Sequence, residues 1–225
     1  MVTCYFGVPG VGKTTLGAKF AVKGLKLVKK GRYEHVYTNF YCKGCERITF
    51  KDLDQNKIYN SLIILDEITL DADNRKFKSF PDGVRDFFIL HRHLGNDIIY
   101  MTQSYEMVDL KIRQVTQELW YMSRSVVPIL SEFTTAKRIY RQININEHTS
   151  ELTLGYRFCN LLEAFFTSNY KSVLRCRYYK YFDSYEEGSL SERPVFESEL
   201  WSPLPNRQNI LKYIERKDRE QNGSN

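Results

Sequence analysis

Long apolar runs are the first thing this chain lacks. No stretch of its 225 residues approaches the roughly 18 consecutive apolar residues of a membrane span. A polar, glycine-rich run starts at Gly7, so the residues before it leave no room for the apolar segment of a secretory leader. The expectation is a cytoplasmic protein. Cysteine is scarce, five residues in all, and free thiols in a reducing compartment are expected rather than a disulfide framework. Internal repeats and low-complexity tracts are also absent, which excludes a solenoid. Nor is there a strong charge of one sign. Lys+Arg 33 against Asp+Glu 27 leaves +6, which permits a nucleic-acid or anionic-membrane partner without requiring one.

What remains is a globular composition, 42% apolar and 14% aromatic, long enough for one domain with a core and a small appendage. Its charge is uneven. Lys111, Arg113, Arg124, Lys137, Arg138 and Arg141 are accompanied only by Glu118 and Glu132, whereas residues 183–200 hold six acids and one base, Arg193.

Val2–Phe6 is short and apolar and predicts a buried strand. It runs into Gly7, Val8, Pro9, Gly10, Val11, Gly12, Lys13, Thr14 and Thr15, where Gly7, Gly12, Lys13 and Thr14 fit the G-x-x-x-x-G-K-[ST] spacing. Glycines let successive backbone N–H groups turn inward on phosphates without Cβ clashes, and a following helix adds its positive end. Lys13 is expected at the β- and γ-phosphates of ATP, and the Thr14 hydroxyl on Mg²⁺. The pattern alone also fits a decorative turn. Here, however, it follows an apolar strand and precedes an amphipathic helix.

A second strand, Ser61–Leu65, ends in Asp66 and Glu67. A carboxylate at the end of a buried strand needs a cation, so Asp66 is the expected Mg²⁺ partner. Glu67 is placed to accept a proton from the attacking water. The alternative is a pair of acids capping the next helix. Asp97–Thr102 predicts a third strand whose end would set Gln103 beside the γ-phosphate, since the carboxyl ends of neighbouring strands line the ligand crevice in such sheets. A surface glutamine is the bland alternative.

Further along, Thr14 to about Lys30 predicts a helix, capped by Gly31, with Lys19, Lys23, Lys26 and Lys30 on a solvated face. His35–Thr38 and Glu118–Met122 predict strands and Val84–Leu94 a helix. This alternation predicts an α/β fold with a parallel core sheet. After residue 125 the pattern turns to a hairpin, Arg138–Ile145 with Leu152–Phe158, and an aromatic, β-prone stretch at Tyr170–Tyr181. The expected organisation is a P-loop ATPase core at 1–125, a β-rich extension packed on it at 126–205, and a polar terminal helix with a frayed tail at 206–225.

The run GVPGVGKTT, then VYTNF (Val36–Phe40), LIILDE (Leu62–Glu67), FFILHRHLGNDIIYMTQS (Phe87–Ser104) and VDLKIR (Val108–Arg113), resembles in order the Zot (zonular occludens toxin) family, which includes assembly ATPases of filamentous phages. The resemblance spans roughly residues 2–125, with KYFDSY (Lys180–Tyr185) and ERP (Glu192–Pro194) beyond. It implies a RecA-like ATPase of the FtsK/HerA group that assembles as a homo-oligomeric ring, expected as a hexamer, and drives phage or plasmid DNA in extrusion, virion assembly or packaging. It implies host bacterial cytoplasm, with peripheral contact at the inner membrane face and with a phage coat or membrane export protein as further partner. Lys13 and Thr14 would bind nucleotide, Asp66 and Glu67 form the acidic pair, and Gln103 act as sensor. Better-known members carry a transmembrane helix and an exported domain; neither is read in these residues, and no toxin activity is expected.

A ring also needs a neighbour's guanidinium at the γ-phosphate. Arg113, matching the family's Ile-Arg pair, is the expected finger, with Arg124 or Arg92 next, and a surface salt bridge as the alternative. Cys42 and Cys45 have zinc or redox spacing, but a zinc site needs more ligands, and His35, Cys159 and Cys176 sit in unrelated segments. A turn with two incidental thiols is the expectation. His91 and His93 flank Arg92 and point to different helix faces. Asn169–Tyr185 interleaves bases with aromatics, which suits either stacked nucleic-acid bases or an amphipathic edge strand. Two functions stay open: an oligomeric motor ATPase, and a nucleotide-dependent switch or scaffold with little turnover that binds a protein partner. A small-molecule kinase is a weaker third, because no arginine-rich lid follows the core.

Overall fold

The computed structural model describes residues 1–49, 52–53, 58–68, 82–124, 132–145, 152–160 and 169–182. Its centre is β1 (Val2–Phe6), and every residue from Val2 to Tyr5 is at most 2% exposed. Such a strand has both faces and both edges covered. β5 (Asp97–Thr102) pairs with it in parallel on one side and β6 (Glu118–Arg124) on the other. Beyond β5 lie β4 (Ser61–Leu65), β2 (His35–Thr38) and the two-residue β3 (Glu46–Arg47), all parallel. Beyond β6 the sheet turns antiparallel: β7 (Phe133–Ile145) pairs with β6 and, along its length, with β8 (Leu152–Phe158) and β9 (Tyr170–Leu174). The order β3-β2-β4-β5-β1-β6-β7-β8, with β9 on β7, makes one sheet of nine strands.

Alternation along each strand feeds two cores. Tyr5, Leu62, Ile64, Met101 and Trp120 face α1 (Lys13–Val28) with its Leu16, Ala18 and Ala21. Cys4, Ile63, Leu65, Ile98 and Leu119 face α2 (Asp82–Leu90) and α3 (Leu110–Val115) through Val84, Phe88 and Ile112. This is the expected RecA-like P-loop architecture, with the strand that ends at Gln103 lying between the P-loop strand and the strand that ends in the acidic pair. No described helix is long and apolar enough to cross a membrane.

The strands Val2–Phe6, His35–Thr38, Ser61–Leu65 and Asp97–Thr102 lie where the sequence places them. Other elements differ for local reasons. Asp82–Leu90 stops short of Leu94 because the chain turns at Gly95 (φ 70°), closed by Asn96 N–H donating to His91 O at 2.8 Å. β7 starts at Phe133 rather than Arg138, since β6 and β9 both pair with its first residues. The Tyr170–Tyr181 stretch is a strand only to Leu174 and then turns. The lysine face of α1 is not uniformly solvated: Lys19 donates to Ser172 O at 2.8 Å, and its pKa is lowered, first by burial. α1 does close on Gly31, whose N–H reaches Val28 O at 2.9 Å. The expected terminal helix at 206–225, the acidic residues 183–200 and the ERP motif lie outside the described residues.

Asn96, 2% exposed, ties the amino end of the sheet together: its Oδ1 accepts from Ser61 N–H at 2.9 Å and its Nδ2 donates to Ile58 O at 2.7 Å. Asn96→Ala leaves a buried donor and a buried acceptor unpaired. It is expected to cost about 2–4 kcal/mol in urea unfolding without changing nucleotide affinity, because the site lies at the opposite end of the strands.

Candidate nucleotide site

Four strands deliver polar residues to one edge of the sheet. Gly7 follows β1, Asn39 follows β2, Asp66 follows β4 and Gln103 follows β5. Gly7 donates its N–H to Thr102 O at 3.3 Å, and a Cβ there would sit 2.6 Å from Met122 O, so β6 leaves room for glycine only. Gly12 has φ 92° and begins the turn into α1, whose first closing bond is Leu16 N–H to Gly12 O at 3.0 Å. That left-handed turn sets the start of the helix under the loop.

Lys13 is 5% exposed. Its ammonium spans the loop, donating to Gly7 O at 3.1 Å and pairing with Glu67 Oε1 at 3.1 Å. Thr14 donates its hydroxyl to Asp66 Oδ2 at 2.5 Å, and Thr15 is buried behind it. Asp66 Oδ1 accepts the Glu67 N–H at 3.0 Å. The Asn39 side chain grips the Asp66 main chain twice: Nδ2 donates to Asp66 O and Oδ1 accepts from Asp66 N–H, both at 2.7 Å. Glu67 then takes φ 46°, a left-handed conformation that costs a non-glycine residue about 1–3 kcal/mol.

The site is short of positive charge. Burial pushes the Asp66 carboxyl up to about 6; the Thr14 hydroxyl bond opposes this, the charge of Glu67 adds to it, and Lys13 offsets only part. Glu67 Oε2 is buried with no hydrogen-bond partner. Two carboxylates and a hydroxyl around a lysine are a donor set that fits a hard divalent cation together with an anionic phosphate.

β6 and the antiparallel strands beyond it reach into the same site through contacts that the sequence reading missed. Arg124, at the end of β6, donates from Nε and Nη2 to Gly10 O at 2.8 and 2.5 Å. Thr134 of β7 donates to Val11 O at 2.5 Å. Arg175, at the end of β9, lies so close that a Cβ on Gly12 would be 2.9 Å from its Cδ. Arg124 is therefore engaged with its own loop, which removes its standing as a reserve for a neighbour's site. For Asn39 a signal existed: it is a polar residue just past a buried strand predicted to lie beside the acidic one.

Other predicted residues lie apart. Gln103 is exposed at the end of β5, next to the Gly7–Thr102 bond. Arg113 is on α3, on the opposite face of the sheet from α1, with its guanidinium carbon 5.9 Å from the Tyr105 ring centroid and Nε buried without a hydrogen bond. Arg92 and His93 are exposed, and His91 is buried with Nδ1 2.6 Å from Phe88 O; all three are at the far end of the strands. Cys42 and Cys45 are buried in a turn closed by Cys45 N–H to Cys42 O at 3.0 Å. The Cys42 hydrogen bond and burial push the Cys45 thiol upward, against thiolate ligation, and no cluster of three metal-binding side chains occurs among the described residues. In the described part of the Asn169–Tyr185 segment, residues 169–182, Lys171 turns inward: it donates to Tyr5 OH at 2.7 Å and stands 3.8 Å from the Trp120 ring centroid, and burial lowers its pKa to about 8.

The sequence profile of the family described as zonular occludens toxin (Zot) matches residues 42–184, well over half of the chain, including Asp66, Glu67, Gln103 and Arg113. No curated protein matches. Among solved structures, the N-terminal domain of zonular occludens toxin from Neisseria meningitidis is 15% identical, covering 81% of this chain and 98% of its own, with a TM-score of 0.46. The DNA-packaging ATPase from Sulfolobus turreted icosahedral virus is 11% identical over 68% of this chain and 95% of its own, TM-score 0.39. The flagellar accessory protein FlaH from Methanocaldococcus jannaschii is 14% identical over 71% and 89%, TM-score 0.45.

The raised Asp66 carboxyl makes a pH test. Its folded-state pKa of about 6 is above the ordinary carboxylate value, so the metal-free fold takes up its proton at higher pH than the unfolded chain does. Stability therefore rises as pH falls through about 6, while a divalent cation at Asp66 would require the ionised form. Calorimetric titration should show Mg²⁺–nucleotide affinity weakening over that interval. Urea unfolding should show the metal-free wild type gaining stability relative to Asp66→Asn.

Proposed function

The chain belongs to the Zot family, and from that premise we propose that it is a Mg²⁺-dependent P-loop ATPase working as an oligomeric motor on phage or plasmid DNA. The observation that carries the proposal is the ion pair between Lys13 and Glu67, closed over a loop whose next residue, Thr14, holds Asp66. Lys13, Thr14 and the backbone from Gly7 to Thr15 would hold the triphosphate, with Thr14 and Asp66 on the metal. Bound there, Mg²⁺ would spread the negative charge that builds on the transferring phosphoryl oxygens.

Lys13 is paired with a carboxylate in the ground state of the chain. When it takes a terminal phosphate oxygen instead, it releases Glu67, whose carboxylate is then available to accept a proton from water as the water oxygen bonds to phosphorus and the β–γ bridging bond breaks. Asn39 fixes the Asp66 main chain through this exchange, so that Glu67 moves while Asp66 does not. Gln103, at the end of the adjacent strand, orients the water or reports the loss of phosphate. Arg113 contacts no described P-loop residue of its own chain, and its proposed role is to reach the γ-phosphate of a neighbour in a ring. A switch with little turnover is the second reading, favoured only if Glu67 stays on Lys13 when nucleotide is bound.

Lys13→Ala is expected to abolish nucleotide binding, and Glu67→Gln to retain binding while hydrolysis drops at least ~10²-fold, as read by titration and steady-state phosphate release. Wild-type turnover in Glu67→Gln sinks the catalytic role of Glu67. Activity per protomer is expected to rise with protein concentration and to fall about 10³-fold in Arg113→Ala. Mixing Arg113→Ala with Lys13→Ala should restore part of it, since a mixed interface joins an intact site to an intact arginine. Mixed rings that remain inactive exclude Arg113 as the finger.

A further inference from the structure

On the sheet face opposite α1, the antiparallel strands carry cations and aromatic rings side by side. Alternation sets Lys137, Ile139 and Arg141 of β7 on that face. The register gives each cation aromatic neighbours: Lys137 lies between Tyr121 and Tyr170, and Arg141 lies beside Tyr156. Tyr156 and Phe158 are each 53% exposed, and Lys137 and Arg141 are exposed with them. The Arg141 guanidinium is already fixed, donating from Nη2 to Tyr105 OH at 2.8 Å and to Arg113 O at 2.6 Å.

These outer rings stand on an inner tier. Tyr156 meets Tyr105 edge-on at 6.5 Å and Phe158 meets Tyr121 edge-on at 5.7 Å. Tyr105 and Tyr121 both pack on Phe6, at 6.1 and 5.5 Å. A cleft of about 350 Å³ opens among the rings, with Glu106 the acid in its lining. Phe6 immediately precedes Gly7.

We propose that this face binds single-stranded nucleic acid, with bases stacked on Tyr156 and Phe158 and backbone phosphates held by Lys137 and Arg141. Exposed rings flanked by fixed or exposed cations suit a ligand that is flat and apolar at one repeat and anionic at the next. A duplex hides its base faces and offers only the phosphates. An apolar protein surface would satisfy the rings but leave two cations facing it. The contact through Phe6 gives an occupied face a packed route to the P-loop. The inference rests on the proposed action on DNA and adds the strand state and the surface. Its test reads binding rather than hydrolysis, so either can fail while the other stands.

Fluorescence anisotropy of the full chain with labelled oligothymidine, and with a duplex of equal length, tests it. Single strand is expected to bind more tightly than duplex. The double variant Tyr156→Ala/Phe158→Ala should weaken oligothymidine binding about tenfold or more, and Tyr156→Trp/Phe158→Trp should keep it, which separates lost stacking from lost structure. Lys137→Ala should lower the slope of log affinity against log salt by about 0.7. All variants are expected to keep wild-type nucleotide affinity. Equal binding of duplex and single strand overturns the proposal, as does an alanine double variant that binds like wild type. Absence of binding by the wild type, the result if the acidic residues 183–200 occupy the face, overturns it as well.

Discussion

A lysine ammonium held at 5% exposure has lost most of its water and needs hydrogen-bond acceptors and an anion in its place, and the arrangement around Lys13 follows from that need. The Gly7 carbonyl and the Glu67 carboxylate meet it on two sides. For Glu67 to reach, the chain after β4 must turn at once, and it does so with a left-handed residue and the Asn39 clamp on Asp66. For Gly7 to present its carbonyl, β1 must run close against β6, and only a residue without Cβ fits there. Phosphate would meet the same requirement, so under the proposed function Glu67 is the anion that a nucleotide would displace from Lys13.

β6 and the antiparallel strands beside it belong to this site as much as the strands on the other side of β1 do. Arg124 and Thr134 hold the carbonyls of Gly10 and Val11, and Arg175 packs over Gly12. Those bonds turn the Gly10 and Val11 carbonyls toward β6 and β7. The exposed rings stand on the neighbouring β8, on the sheet face opposite α1. β7 thus meets the nucleotide loop through Thr134 and, on its other face, sets Arg141 beside Tyr156.

The core was legible in the sequence because buried parallel strands are short apolar runs bounded by polar residues, and four of them could be bounded to the residue. The site motifs were legible for the same reason, each being the polar residue that ends such a run. What escaped depended on contacts between segments far apart. Arg124 read as the next finger candidate after Arg113, since composition does not say which carbonyl a guanidinium meets. The bases of Asn169–Tyr185 read as either a nucleic-acid stripe or an amphipathic edge strand, and Lys171 faces inward to Tyr5 and Trp120. The stripe appears instead across strands, where Lys137 and Arg141 from one segment meet rings from three others. β3, at two residues, and α3, at six, are too short to leave a period.

The placement of β1 also fixes an order of events during synthesis. It is made before the strands it pairs with: its edges belong to residues 97–102 and 118–124, and the Gly10 and Val11 carbonyls of the loop after it are held by Arg124 and Thr134. An emerging chain therefore carries a finished glycine loop that lacks these partners until Thr134 has been made. Such long-range pairing slows folding, and it also means that a truncated product cannot trap nucleotide. Competence to bind comes late and all at once, with the strand that closes the sheet.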